Sequence, residues 1–123
     1  MSWARFPASA NSISGGLRAP IDSIAGHRLS MKPHIFRPYD IRGVVGRSLD
    51  ATIGEAVGRA FASQVRDVRN IEQPRITVGH DNRESSPALA QGLIRGLRAA
   101  GADVLDIDTV PTPVLYWSEV TFD

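Results

Sequence analysis

The stretch ITVGHDNRESSPALAQGLIRGLRAAGADVLDIDTVPTP, running from Ile76 to Pro113, decides the fold. It opens with a β-branched run, Ile76-Thr77-Val78, that stops at Gly79, the pattern of a short buried strand. Ser86 and Pro87 follow as a helix start, because a hydroxyl accepts from unpaired amides and proline suits the first helical position. Leu89, Leu93, Ile94 and Leu97 recur at helical spacing as an inner face, and Gly101 closes the helix as a left-handed cap. Val104, Leu105 and Ile107 supply a second strand. Thr112 and Pro113 then repeat the cap-and-proline start for a helix holding Val114, Leu115 and Trp117. Strands joined through a helix require a crossover, which is right-handed in nearly all proteins and leaves the strands parallel.

Working upstream, Pro74 ends a linker, and before it Asp50 to Val68 places Ile53, Val57, Ala60, Phe61, Val65 and Val68 on one helical face. Asp50 can cap that helix, and Thr52 with Glu55 three residues on offers a second capping pattern. Gly54 and Gly58 inside it cost about 1 kcal/mol each relative to alanine, which signals close packing against another element. A short extended piece is expected around Ile35 and Phe36. The order is helix, strand, helix, strand, helix, which implies an α/β domain: three layers, α/β/α, around a mixed, mainly parallel sheet. In such sheets ligands gather at the carboxyl ends of the strands, here the loops Gly79–Ser86 and Asp108–Pro113.

The 123 residues suit one domain. Residues 1–30 are a different kind of sequence, rich in Ser, Ala, Gly and Arg without sustained periodicity, and read as a disordered N-terminal extension, with residues 31–123 as the domain. An organellar targeting segment would share that composition, but Gly15, Gly16 and Pro20 interrupt any amphipathic helix. A start at Met31 is the other reading. The formal net charge of +1 provides no basic field for nucleic acid. No apolar run approaches the roughly 20 residues of a membrane-spanning helix, so no membrane role is expected. The absence of cysteine excludes disulfides and thiolate chemistry and suits a reducing, cytoplasmic setting.

Two polar clusters could carry chemistry. Phe36-Arg37-Pro38-Tyr39-Asp40-Ile41-Arg42-Gly43 puts two guanidinium groups, a phenol and a carboxylate in one turn, and the planar guanidinium fork matches phosphate oxygens. The plainer reading, slightly favoured by the residues alone, is that Asp40 pairs with an arginine in a polar connection. Gly79-His80-Asp81-Asn82-Arg83-Glu84-Ser85-Ser86-Pro87 lies between a strand and a helix start, whose amides could hold an anion. Here too Asp81 and Arg83 can form a structural ion pair, and Ser86 reads as a cap rather than a nucleophile.

Taken together, these motifs resemble the α-D-phosphohexomutase superfamily, in its phosphomannomutase/phosphoglucomutase branch. Phe-Arg-x-Tyr-Asp-Ile-Arg-Gly stands complete at Phe36–Gly43. Val78 to Pro87 is similar to the family's Val-Gly-Arg-Asp-x-Arg-x-Ser-x-Pro segment, with His80 in place of its arginine, and Val110 to Tyr116 to its Val-Pro-Thr-Pro stretch. The resemblance implies the family's domain I. It also implies an isomerase activity, intramolecular phosphoryl transfer between the 1- and 6-oxygens of mannose or glucose phosphates through a phosphoserine and a bound Mg²⁺. It assigns Arg42 as catalytic, Tyr39 and Arg42 to phosphate binding, and Asp81 and Arg83 to support. The Thr-x-Ser-His-Asn-Pro nucleophile loop and the Asp-Gly-Asp-x-Asp-Arg metal loop of the family do not occur in this sequence. The domain is therefore expected to be incomplete at its C-terminus, and the chain alone is expected to bind no metal ion and to be inactive. The missing domains or another chain are its expected partners. The alternative is a non-catalytic sugar-phosphate-binding or interaction module on the same fold.

Overall fold

The computed structural model describes residues 32–38 and 40–122. The expected extension at 1–30 and the candidate Tyr39 lie outside the described residues. Among the described residues three helices and two strands alternate: α1 (Ala51–Arg69), β1 (Arg75–His80), α2 (Ser86–Ala99), β2 (Asp103–Thr109) and α3 (Thr112–Thr121). This is the expected order. β1 and β2 pair in parallel from Arg75 opposite Asp103 to Val78 opposite Asp106. The next pair is His80 with Thr109, so β2 spends three residues where β1 spends two, and the extra residue makes a bulge. Among the described residues the sheet has these two strands, both parallel.

α2 packs on both strands, α1 lies along α2, and α3 packs on β1. Ile53, Val57, Val78, Leu93, Ile94 and Leu97 form the centre of the core, with Ile35 wholly buried among them. Burying each large side chain contributes about 1.5–3 kcal/mol. The two helices run in the same direction. A methyl group on Gly92 would strike the Ala51 carbonyl, and one on Gly96 the Glu55 carbonyl, while Arg66 Nη1 donates to the Ala100 carbonyl at their far ends. A methyl on Gly58 would strike the Leu93 carbonyl, and on Gly54 it would meet that of Leu89 at 3.0 Å. The helical cost of Gly54 and Gly58 is thus explained by backbone-to-backbone approach.

The helix ends follow their local chemistry with several departures from expectation. Asp50 Oδ1 accepts from the Ile53 amide at 2.9 Å and caps α1. Glu55 is no capping-box partner; it pairs with Arg59 at 2.9 Å. Val68 is 60% exposed instead of continuing the inner face. The 19 residues of α1 span about 28 Å against about 21 Å for the 14 of α2, so its last turn runs past the end of α2. Gly101, at φ +90°, closes α2: its amide bonds Arg98 O, and the Ala102 amide reaches back to Leu97 O, a Schellman arrangement. β1 continues through Gly79 to His80, beyond its expected end. Ile35 belongs to a single 3₁₀ turn, Pro33–Ile35, and Phe36 makes an antiparallel bridge with Ile41. Among the described residues, no helix is long and apolar enough to cross a membrane.

Candidate functional site

The turn after Phe36 is built by its own backbone. The Arg37 amide donates to Asp40 O at 2.9 Å, and the Arg42 amide donates to the Ile35 carbonyl at 2.8 Å. Because Ile35 is completely buried, Arg42 grows from a backbone position pinned to the core. Its Nε donates to Asp40 Oδ2 at 2.7 Å. The ion pair of the plainer reading is therefore present, and it uses only one side of the guanidinium. Neither terminal nitrogen has a hydrogen bond or ion pair among the described residues, and the side chain is 77% exposed. The forked end faces solvent, which leaves it able to take a second anion.

The loop after β1 is organised around Asp81. Its Oδ1 accepts from the Ser86 hydroxyl and from the Arg83 amide, the latter at 3.1 Å, and its Oδ2 lies 3.4 Å from Arg83 Nε. The Ser86 hydrogen bond, then the Arg83 amide and charge, hold the Asp81 carboxyl below the usual carboxylate range despite some desolvation. Ser86 is therefore not the cap expected from its place before Pro87: its hydroxyl goes to Asp81, and no side chain caps α2. Thr112 likewise caps nothing, since α3 begins at it with Pro111 in the cap position. Sequence reasoning missed the hydroxyl-to-carboxylate closure, although an aspartate just after a strand, two residues before an arginine, fits an Asx turn. It also missed the bulged end of β2, where Asp108 stands at φ +60° and faces His80.

The structure brings Asp40 together with Arg42, and Asp81 with Arg83. Among the described residues it places no hydrogen bond or ion pair between the two clusters. They do share one end of the helix pair. Ile41, next to Arg42, lines a shallow apolar depression with Leu49, Ile53 and Leu89, and Leu89 lies in the first turn of α2, just beyond the Asp81 loop. Both clusters thus stand toward the carboxyl end of β1, the side where parallel α/β sheets place their ligands. Gly79 lies under this end: a Cβ there would meet Val110 Cγ2 at 2.7 Å and Ile107 Cγ1 at 3.2 Å, so the Val110 stretch sits directly on β1.

The fold and this placement of polar loops define an α/β domain with two exposed arginines, Arg42 and Arg83, at one end. Residues 33–123 match the family model for phosphoglucomutase/phosphomannomutase, alpha/beta/alpha domain I. The phosphomannomutase/phosphoglucomutase of Pseudomonas putida is 46% identical over 86 residues, covering 68% of this chain and 18% of that protein. The phosphoglucomutase of Neisseria gonorrhoeae is 40% identical over 91 residues, covering 74% and 19%. A crystal structure of a phosphoglucomutase/phosphomannomutase family protein from Burkholderia thailandensis superposes with a TM-score of 0.66 at 46% identity, over 72% of this chain and 19% of that one. The chain belongs to the phosphoglucomutase/phosphomannomutase family. It spans about a fifth of the length of the relatives it matches.

Proposed function

We propose that these residues supply one wall of the phosphate pocket of a phosphohexomutase, an isomerase that interconverts hexose 1-phosphate and hexose 6-phosphate by intramolecular phosphoryl transfer. The observation that carries this is Arg42: its backbone is tied to the buried Ile35, its Nε to Asp40, and its fork is left open. Phosphoryl transfer gains most from positioning and from cations aimed at the non-bridging oxygens, and an arginine braced in this way is suited to that role. Arg42 acts as the catalytic cation. Tyr39 joins it in binding phosphate, and Asp81 with Arg83 holds the neighbouring loop. Mannose or glucose phosphates are the substrates, and the cytoplasm is the setting.

Mg²⁺ serves the whole enzyme of this family, where it supplies charge neutralisation at the transferring phosphate. Among the described residues no three His, Asp or Glu side chains stand together as a metal site, so the residues present do not fit the ion and no step here is routed through it. The sequence also holds no Ser-His-Asn-Pro nucleophile loop, and we expect the chain alone to give no turnover. The open fork of Arg42 would equally serve, as a second reading, a module that binds sugar phosphate without reacting.

A chimera separates the two. Residues 33–122 replace the matching segment of the Pseudomonas putida enzyme, and glucose 1-phosphate turnover is followed by a coupled assay. We expect an active chimera that loses at least about 100-fold in kcat on Arg42→Ala, the scale for removing one charge-stabilising donor. A folded chimera without turnover, or one indifferent to that substitution, contradicts the proposal.

A further inference from the structure

His80 stands where β1 ends, with its side chain only 11% exposed. Its Nδ1 lies 2.8 Å from the Asp81 carbonyl oxygen, and its Nε2 lies 3.3 Å from Asp108 Oδ1. A carbonyl oxygen and a carboxylate oxygen only accept. A neutral imidazole carries one N–H, so it satisfies one of these partners and turns a lone pair toward the other. The imidazolium donates to both. Asp108 reaches this position through left-handed backbone, uncommon for a residue other than glycine, at the bulge that displaces the end of β2. Its amide is taken by Asp106 Oδ1 at 3.0 Å, and its Oδ1 also accepts from Thr109 Oγ1 at 3.2 Å. The bulge and the two acceptors therefore converge on one ring.

We propose that His80 is a protonation-dependent latch. As the imidazolium it ties the loop carrying Asp81 and Arg83 to the bulged end of β2, and on losing its proton it releases Asp108. Among the described residues Asp108 is the one carboxylate paired with the ring. The Asp81 carboxylate is occupied by Ser86 and Arg83. α2 brings Arg95, paired with Glu55, and Arg98 in its last turn, and Glu119 of α3 makes no ion pair with the ring. The latch joins the two strand ends from which the candidate loops start. It is independent of whether the whole protein is a mutase.

The test uses the 123-residue chain and the variants His80→Gln, His80→Arg and Asp108→Asn, with thermal unfolding followed by circular dichroism at pH 5.5 and pH 8.5. The unsubstituted chain should exceed His80→Gln by about 2–4 °C at pH 5.5, the scale of one partly exposed charge pair in a domain of this size, and lose that margin at pH 8.5. His80→Arg, charged throughout, should keep the margin at both. In the Asp108→Asn background the margin at pH 5.5 should shrink by half or more. Separately, and needing no variant, both ring N–H protons of His80 should be visible by NMR at pH 5.5, shielded from exchange, whereas those of exposed His34 are not. A margin equal at both pH values, one unaffected by Asp108→Asn, or an absent Nε2–H signal overturns the latch.

Discussion

The Ser86 hydroxyl donates to Asp81 Oδ1, and this bond closes the loop between β1 and α2 from within. The same carboxylate accepts the Arg83 amide and lies beside the Arg83 guanidinium, so three donors converge on one side chain. The loop thus keeps its shape without a side-chain cap on α2, and Arg83 is held by its own neighbour while remaining exposed.

The first expected consequence concerns pH. Asp81 is held below the usual carboxylate range, chiefly by the Ser86 hydrogen bond. When the folded value is depressed, the unfolded chain takes up the proton first as the solution is acidified. The stabilisation is therefore complete well above the unfolded value of about 3.9 and is lost as pH falls through the depressed folded value. In Ser86→Ala the Asp81 midpoint should rise toward the unfolded value, and in Ser86→Thr it should not. Carboxyl ¹³C NMR titration measures both, and equal midpoints in all three proteins would show that the hydroxyl does not hold the charge.

The helix contact gives a second expectation. Gly58→Ala and Gly96→Ala each add a methyl group against a facing carbonyl of the neighbouring helix. Alanine gains about 1 kcal/mol of helix propensity, but overpacking against backbone costs about 1–3 kcal/mol and forces the helices apart. We expect both variants to be net destabilised in urea unfolding. Unchanged or increased stability would mean the helices are not in backbone contact.

Core and cap differ in the size of their effects. Leu97 is almost wholly buried between α1 and the sheet, so Leu97→Ala should cost about 2–5 kcal/mol. Asp50→Ala removes the cap of α1 and should cost about 1 kcal/mol. A cap effect larger than the core effect in urea unfolding would contradict the packing described.

Much of this architecture was legible because periodicity and punctuation agreed. Ile76-Thr77-Val78, the Leu89-Leu93-Leu97 row and Gly101 define β1, α2 and its end, and each does so through one local rule. What escaped were features set by partners distant in the chain or in the turn. Val68 satisfies the helical pattern, but whether it is covered depends on the shorter length of α2. Ser86 and Thr112 look like caps by position, and only the folded loop shows the Ser86 hydroxyl turned to Asp81. The β2 bulge has no hydrophobic signature, since the extra residue falls in the mixed pair Ile107-Asp108 opposite Gly79. At the candidate site, the residues of the Arg42 turn suggested both an ion pair and an anion site. The geometry holds the first and leaves room for the second, because Nε is taken by Asp40 while the forked end faces solvent.

The open fork of Arg42 is the group that should meet the phosphate of a sugar phosphate. The most direct measurement is the NMR titration of arginine Nε–H signals in this chain with glucose 6-phosphate, using glucose as the uncharged control. The Arg42 signal should move along a saturating binding curve, with no response to glucose, while Arg75, paired to Asp103 on the sheet, stays still. An unmoved Arg42 signal, or movement of Arg75 alongside it, would contradict an anion site at this turn.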